Sequence, residues 1–309
     1  MLAKVFTSCP RSPGDGDLPA QATEVHLDVS VCEHSLGVDP ELRLDEAVLP
    51  PAERWRRSVA QLAVPDDIRA KAPEPDWSLE PERFRWRPEE DVHQRVRPSR
   101  RRALEALPQS GSVLDVGVGG GASSLGLAPT AGLITGVDRL EGMLDSFEAS
   151  GRASGVAVRS VHGTWPEVAD GVEPADVAVC HHAIYGVSQI EAFIEALTAR
   201  ARVRVVVELS ERSPLAALNP LWQALHGIER PDPAVADEAE AVLVSMGLAV
   251  EREDVVLPPR PQEVTPETVV FARRRLYVGP ERDRDIVELL RARVPQEQRV
   301  VALWWRGTG

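Results

Sequence analysis

The stretch that most constrains this chain is Val113-Leu-Asp-Val-Gly-Val-Gly-Gly-Gly-Ala-Ser-Ser124. It opens as an apolar run of strand type, Val113, Leu114 and Val116, broken only by Asp115. Glycines at 117, 119, 120 and 121 follow, and residues 123–127 resume as a segment able to start a helix. Strand, glycine turn and helix in that order set backbone N–H groups beside the carboxyl end of the strand. Glycine suits such a turn because it accepts positive φ and has no Cβ to hold a ligand away from the backbone.

Two acids sharpen the reading. Asp115 sits inside the apolar run, two residues before Gly117. A strand covered on both faces tolerates a carboxylate only where something charged or hydrogen-bonding meets it. A second apolar run, Leu133-Ile-Thr-Gly-Val-Asp138, also ends in an acid, 17 residues after Gly121. That is close to the roughly 20-residue spacing at which an acid ending the second strand reaches ribose hydroxyls. The pattern predicts a nucleoside ligand held at the ends of adjacent parallel strands.

Two ligand classes use this layout. Asp115, Gly117, Gly119 and Gly121 form Asp-x-Gly-x-Gly-x-Gly, which resembles the fingerprint of class I S-adenosylmethionine (SAM) dependent methyltransferases. The dinucleotide fingerprint Gly-x-Gly-x-x-Gly/Ala also fits the letters, as Gly117, Gly119 and Ala122. Asp115 separates them: a dinucleotide fold keeps that position apolar, whereas SAM brings an ammonium for a carboxylate to meet. The resemblance covers residues 100–258 and the last strand. It implies SAM as cofactor, held by Asp115, Gly117, Gly119, Gly121 and Asp138. It also implies an apolar residue against the adenine, for which Met143 is the candidate, with an ordinary core methionine the competing assignment. Many members carry an acid just after the glycine of His162-Gly-Thr-Trp165; Thr164 stands there instead, leaving a hydroxyl or a backbone group for that contact. Trp165 is a candidate adenine wall, though a lone Trp more often packs.

Strand-type segments at 156–161, 175–180, 203–208, 248–257 and 299–305 alternate with helical patterns. The expected fold is α/β: a doubly wound, mostly parallel seven-stranded sheet with helices on both faces, an N-terminal extension and helical insertions. Ile190, Phe193, Ile194 and Leu197 mark one helix face, preceded by a capping-box pattern at Ser188 and Glu191. The expected division is a disordered tail over 1–40, a Pro-rich helical segment over 41–98 covering the core, and the SAM-binding domain over 99–309. Insertions fall at about 209–232 and 260–297, the second where the family uses a short hairpin turn; it is available for a substrate lid or a homodimer contact.

Composition excludes several classes. The net charge of −13 disfavours nucleic acid as a partner, because phosphate contacts need clustered Lys and Arg. The run Arg95, Arg97, Arg100, Arg101 and Arg102 is read as a solvated helix face balanced by Glu89, Glu90 and Asp91. No apolar run reaches the ~18 residues of a membrane span, and no signal peptide is evident, so a cytosolic location is the default. Cys9, Cys32 and Cys180 are scattered, which argues against a disulfide framework and a zinc site, and no metal is expected.

Methyl transfer needs positioning above all, with a base where the nucleophile is a hydroxyl or a protonated amine. His181 and His182 follow the fourth strand, beside the cleft of an open α/β sheet. His181 is the expected base, its side being opposite to that of Cys180; Tyr185 and His226 are further candidates. The expected activity is methylation of an O or N atom of a small molecule. The alternatives are an RNA or protein methyltransferase, a NAD-dependent oxidoreductase, for which no Tyr-x-x-x-Lys pair is present, and a non-catalytic SAM-binding protein.

Overall fold

In the segment β1 (Gly111–Val116) the residues Val113, Leu114, Asp115 and Val116 are all buried, so the strand must be covered on both faces and flanked on both edges. The computed structural model, which describes residues 49–73, 81–87, 97–259, 263–294 and 297–309, places it at the centre of a seven-stranded sheet. The strands are β2 (Ala131–Asp138), β3 (Val158–His162), β4 (Ala175–His181), β5 (Ala201–Ser210), β6 (Glu251–Leu257) and β7 (Gln298–Arg306). Their order is β3-β2-β1-β4-β5-β7-β6. β1 to β5 pair in parallel, and β7 runs antiparallel between β5 and β6.

Alternate residues of the strands feed two cores. Leu114, Val116, Ala178, Cys180, Val205 and Val207 pack with helices α1 (Pro51–Gln61), α6 (Ile190–Ala199) and α8 (Val235–Ser245). Val113, Ile134, Val177, Val179 and Val206 pack on the opposite face with α4 (Pro98–Ala106) and α5 (Glu141–Ser154), where Phe147 is fully buried. Each strand residue thus chooses its face by the two-residue period of the pleat. Trp55 anchors α1: its indole N–H donates to the Val187 carbonyl at 2.6 Å and only 1% of the residue is exposed.

A third core belongs to the insertions. Ile68 of α2 (Asp66–Ala70), Leu221 and Trp222 of α7 (Asn219–His226), Val269 and Ala272 of α9 (Pro266–Arg275), and Ile286 and Leu290 of α10 (Asp283–Ala292) form it. Pro220 opens α7 rather than breaking it, since proline is tolerated in the first turn. The segment leaving β5 after Ser210, the segment leaving β6 after Leu257 and the start of β7 at Gln298 all lie at one edge, as the pairings Ser210↔Val300 and Leu257↔Gln298 require. That is the carboxyl edge of the parallel strands, where the glycine turn also emerges. The helical insertions therefore join the sheet at the β5–β6 half of the edge that carries the turn, and are called the cap below.

Several sequence expectations need correction. The helix after the glycine turn is only a single 3-10 turn, Leu125–Leu127. Ser188 and Glu191 form no capping box: α6 starts at Ile190 with Gln189 at its cap, so Glu191 lies one position too early and instead meets Arg56 at 3.0 Å. A capping box does form at Thr265, closed by the Thr268 hydroxyl. The arginine run is not simply a solvated face. Arg97 is buried against Glu208, Arg101 and Arg102 pair with Glu253 of β6, and Arg102 also lies 4.4 Å over the Trp304 ring. Its expected partners Glu89, Glu90 and Asp91, and the expected tail over 1–40, lie outside the described residues.

Candidate cofactor and active site

The glycine turn is held from below and closed from above. Gly117 and Val118 donate their amides to the Val137 carbonyl at 2.9 and 3.1 Å, tying the turn to β2. Gly117, Gly119 and Gly121 have φ of 75°, 52° and 93°, values only glycine adopts without strain. A Cβ on Gly117 would overlap that of Ala183, so the turn lies directly against the segment leaving β4. Asp138, at the end of β2, accepts the Gly119 amide on Oδ2 and the Leu140 amide on Oδ1, each at 3.0 Å. Those two bonds fix a half-exposed carboxylate at the rim of the turn, with lone pairs left for hydroxyl donors.

Asp115 is fully buried beneath the turn. Its Oδ2 accepts the hydroxyls of Ser123 and Ser124, while Oδ1 is enclosed and without a partner among the described residues. Burial pushes its carboxyl up to about 6; the two serine bonds act in the opposite direction, and the charge of Asp138 adds to the rise. A buried carboxylate oxygen without a donor is costly, and a cation or an N–H donor brought by a ligand relieves that cost. The glycine cradle, the orphaned Oδ1 and the Asp138 carboxylate together suit the amino acid and ribose ends of SAM.

Gly120 is covered by the chain before it. Residues 81–87, beginning with α3 (Pro81–Phe84), lie across the turn: Arg85 bridges to Gly120, and the Trp86 amide donates to the Gly120 carbonyl at 3.3 Å. A side chain on Gly120 would collide with the Phe84 backbone.

The other sequence candidates are distributed around this centre. Met143 is buried in the first turn of α5, just after Asp138. Thr164 is exposed after β3, its carbonyl accepting the Val168 amide. Trp165 is buried and donates its indole N–H to the Phe193 carbonyl at 3.1 Å, so its ring is committed to α6 packing. His226 lies in the cap, 4.8 Å from the Trp222 ring, with Nε2 at 2.6 Å from the Leu276 carbonyl.

A polar network occupies the carboxyl ends of β4 and β5. Glu208 is 1% exposed; its carboxylate accepts bonds from the Arg97 guanidinium, the Ser99 hydroxyl and His182 Nε2, the last at 3.0 Å. Burial alone raises a carboxyl group, but the His182 bond and the Arg97 guanidinium hold Glu208 well below the usual range. His182 has φ of 56°, a left-handed conformation rare for a side-chain-bearing residue, secured by its amide bond to the Glu208 carbonyl at 2.9 Å. Its Nδ1 lies 2.8 Å from the Tyr185 hydroxyl, which in turn accepts the Ser210 amide at 2.8 Å. Burial pushes the Tyr185 phenol up to about 12. His181 is not part of this chain of bonds: its Nε2 is enclosed without a partner among the described residues, and burial brings its imidazole down to about 4. Glu208 and Ser99 were missed in the sequence because nothing local marks an acid ending the fifth strand. Among the described residues no group of three His, Cys, Asp or Glu side chains is placed to hold a metal ion.

The sheet order with its antiparallel seventh strand, and a glycine turn backed by two acids, define a Rossmann-like nucleoside-binding domain. Residues 113–203 match the family described as a methyltransferase domain. The match spans β1 to the start of β5 and stops before the cap. Among solved structures, the YcgJ protein from Bacillus subtilis is 17% identical with a TM-score of 0.47, covering 68% of this chain and 99% of its own. A SAM-dependent methyltransferase from Thiobacillus denitrificans, in complex with S-adenosyl-L-homocysteine, is 18% identical with a TM-score of 0.45, covering 72% and 100%. The magnesium protoporphyrin IX methyltransferase of Synechocystis, with the same product bound, is 15% identical with a TM-score of 0.44, covering 83% and 93%. A comparison with curated proteins found no significant match.

Proposed function

We propose that this chain methylates an O or N atom of a small molecule. SAM, when bound, supplies a methyl carbon already activated on a sulfonium, so the protein's task is to hold the acceptor in line and exclude water. Asp115, Gly117, Gly119, Gly121 and Asp138 are assigned to the cofactor, with Met143 and Thr164 on its adenine side. Trp165 supports that side from the core rather than as an open wall. His181 stands at the same edge, neutral near pH 7 because of its burial.

The observation that carries the small-molecule reading is the helical cap. Its core of Ile68, Leu221, Trp222, Val269, Ile286 and Leu290 is built from three separate chain segments, and the insertions leave and re-enter the sheet at its carboxyl edge, the edge from which the glycine turn emerges. A cap of this kind favours an enclosed acceptor over a long polymer. The overall charge of −13 supports the same choice against RNA.

Two assays test the reading. Calorimetric titration with SAM, S-adenosylhomocysteine and NADH should show binding of the first two alone, lost in Gly119→Arg. Incubation with methyl-labelled SAM and separated metabolite, RNA and protein fractions should place label in the metabolite fraction. Label recovered only in RNA or protein overturns the acceptor assignment.

A further inference from the structure

The Glu208–His182–Tyr185 chain has a direction. A carboxylate only accepts, so His182 Nε2 must carry the hydrogen in its 3.0 Å bond to Glu208. That leaves Nδ1 of a neutral ring as an acceptor. Tyr185 already receives the Ser210 amide on its oxygen, so its own proton is directed at Nδ1, 2.8 Å away. One lone pair of the phenol oxygen remains. The array is anchored at every link: Glu208 by Arg97 and Ser99, His182 by its own amide, and Tyr185 by Ser210. It borders the glycine turn, because Ala183, the next residue after His182, abuts Gly117.

We propose that this array is a proton relay for O-methylation, and that the acceptor is a hydroxyl compound whose O–H donates to Tyr185. This deepens the methyltransferase reading and rests on it. In the transfer, the acceptor oxygen forms its bond to the methyl carbon while the carbon–sulfur bond breaks, the electron pair staying on sulfur. The acceptor proton passes to the Tyr185 oxygen as the Tyr185 proton passes to His182 Nδ1. The positive charge that leaves sulfur is matched by the imidazolium, which faces Glu208. Tyr185 is then the catalytic residue that touches substrate, His182 takes the proton through it, and Glu208 positions His182 in the required tautomer.

A simple packing role for these side chains does not account for the geometry. Core histidines are satisfied by backbone groups, as His226 is by the Leu276 carbonyl, whereas both ring nitrogens of His182 meet ionisable side chains. His182 also keeps 33% of its side chain exposed and adopts a left-handed backbone to do so. A neutral hydroxyl has one proton to give and matches the one lone pair left on the Tyr185 oxygen.

The titratable and charged groups facing His182 are His181 from β4, Tyr185 from the following loop, Glu208 from β5 and Arg97 from the start of α4. The test uses the full chain and the variants Tyr185→Phe, His182→Gln and Glu208→Gln. Nitrogen NMR of the free protein should show the His182 Nε2–H tautomer; the Nδ1–H tautomer overturns the relay. Calorimetry should give the same S-adenosylhomocysteine affinity for wild type, Tyr185→Phe and His182→Gln. Methyl-labelled SAM is then offered with a panel of phenols, alcohols and amines. The expected result is label on oxygen, with kcat lowered roughly 10²–10⁴-fold in Tyr185→Phe and His182→Gln and the acid limb of the wild-type pH profile gone. Glu208→Gln should move that limb to lower pH, where a less folded variant would only reduce active-enzyme content. Label on nitrogen alone, no transfer to any hydroxyl despite normal homocysteine-adduct binding, or an unchanged pH profile in Tyr185→Phe overturns the relay and leaves the cofactor reading standing. Failure of wild type to bind S-adenosylhomocysteine removes the cofactor reading, and the relay falls with it.

Discussion

Asp115→Asn should make the free protein more stable while weakening SAM, and the size of the first effect follows from the structure. The Asp115 carboxyl is raised from 3.8 to about 6, chiefly by burial, with one oxygen lacking a donor among the described residues. A rise of about two units corresponds to about 3 kcal/mol disfavouring the charged form in the folded state. The sign follows from proton counting. Between the unfolded and folded values the native state binds more protons, so stability contributed by this group is complete below about pH 4 and lost as pH rises through about 6. Asparagine keeps the shape, carries no charge, and can be met by Ser123 and Ser124, whose hydroxyls rotate to donate or accept.

Urea denaturation of the two proteins across about pH 4.5–8 should therefore show a gap that is small at the acid end and widens to about 1–3 kcal/mol above pH 7. For a domain of this size that is on the order of 2–10 °C in Tm. Calorimetry should show the opposite ordering for the cofactor. Wild-type affinity should fall about tenfold per pH unit below about 6, and the variant should be weaker by about 10–100-fold and flat across that range. An Asn variant that is less stable at pH 8, with a gap that does not change with pH, would refute the claim that a desolvated charge is stored beneath the glycine turn. Equal SAM affinity in the two proteins would remove Asp115 from the ammonium contact.

Three further outcomes are expected. Gly120→Ala places a methyl group against the Phe84 backbone and should release residues 81–87, read as faster hydrogen exchange at Arg85 and Trp86 and unchanged exchange in β4. Trp55→Ala removes a fully buried indole and its bond to Val187 and should lower stability by about 3–5 kcal/mol in urea melts. Arg97→Met leaves Glu208 buried without its guanidinium and should cost about 3–5 kcal/mol at pH 7. Because Glu208 sits well below its ordinary value, the stability it lends is present above the unfolded value and lost as pH falls through the folded one. The Arg97→Met loss should accordingly shrink at strongly acid pH.

The fold was legible where side-chain period and backbone demand coincide. Alternating strand residues, glycines at positive φ and an acid ending β2 each impose one structure on a short window, and Asp115, Gly117, Gly121 and Asp138 fall where that window requires. Boundaries drifted where the window is permissive: β6 starts at Glu251 rather than near 248, and α6 starts past the serine that resembles a cap. The insertions were legible as helices and as a candidate lid, but their shared core was not, because it joins residues as distant as Ile68 and Leu290.

The relay was harder to see for a related reason. His181 and His182 are equivalent in a strand pattern, and the pleat favours His181 for the cleft because Cys180 turns into the core. What separates them is the strand's end: β4 pairs with β5 through His181↔Glu208, and the next residue leaves the sheet with φ of 56°. The pleat therefore stops governing direction at His182, and the ring swings to the side chain of the very residue that pairs with its neighbour. Glu208 can occupy that buried place only because Arg97 and Ser99 reach it from the start of α4, more than a hundred residues earlier. A sequence window shows a histidine pair and, far away, an acid in an apolar run. Each looks like an isolated oddity, and the charge balance that makes both tolerable exists only once the sheet has brought the two strand ends and the α4 start together.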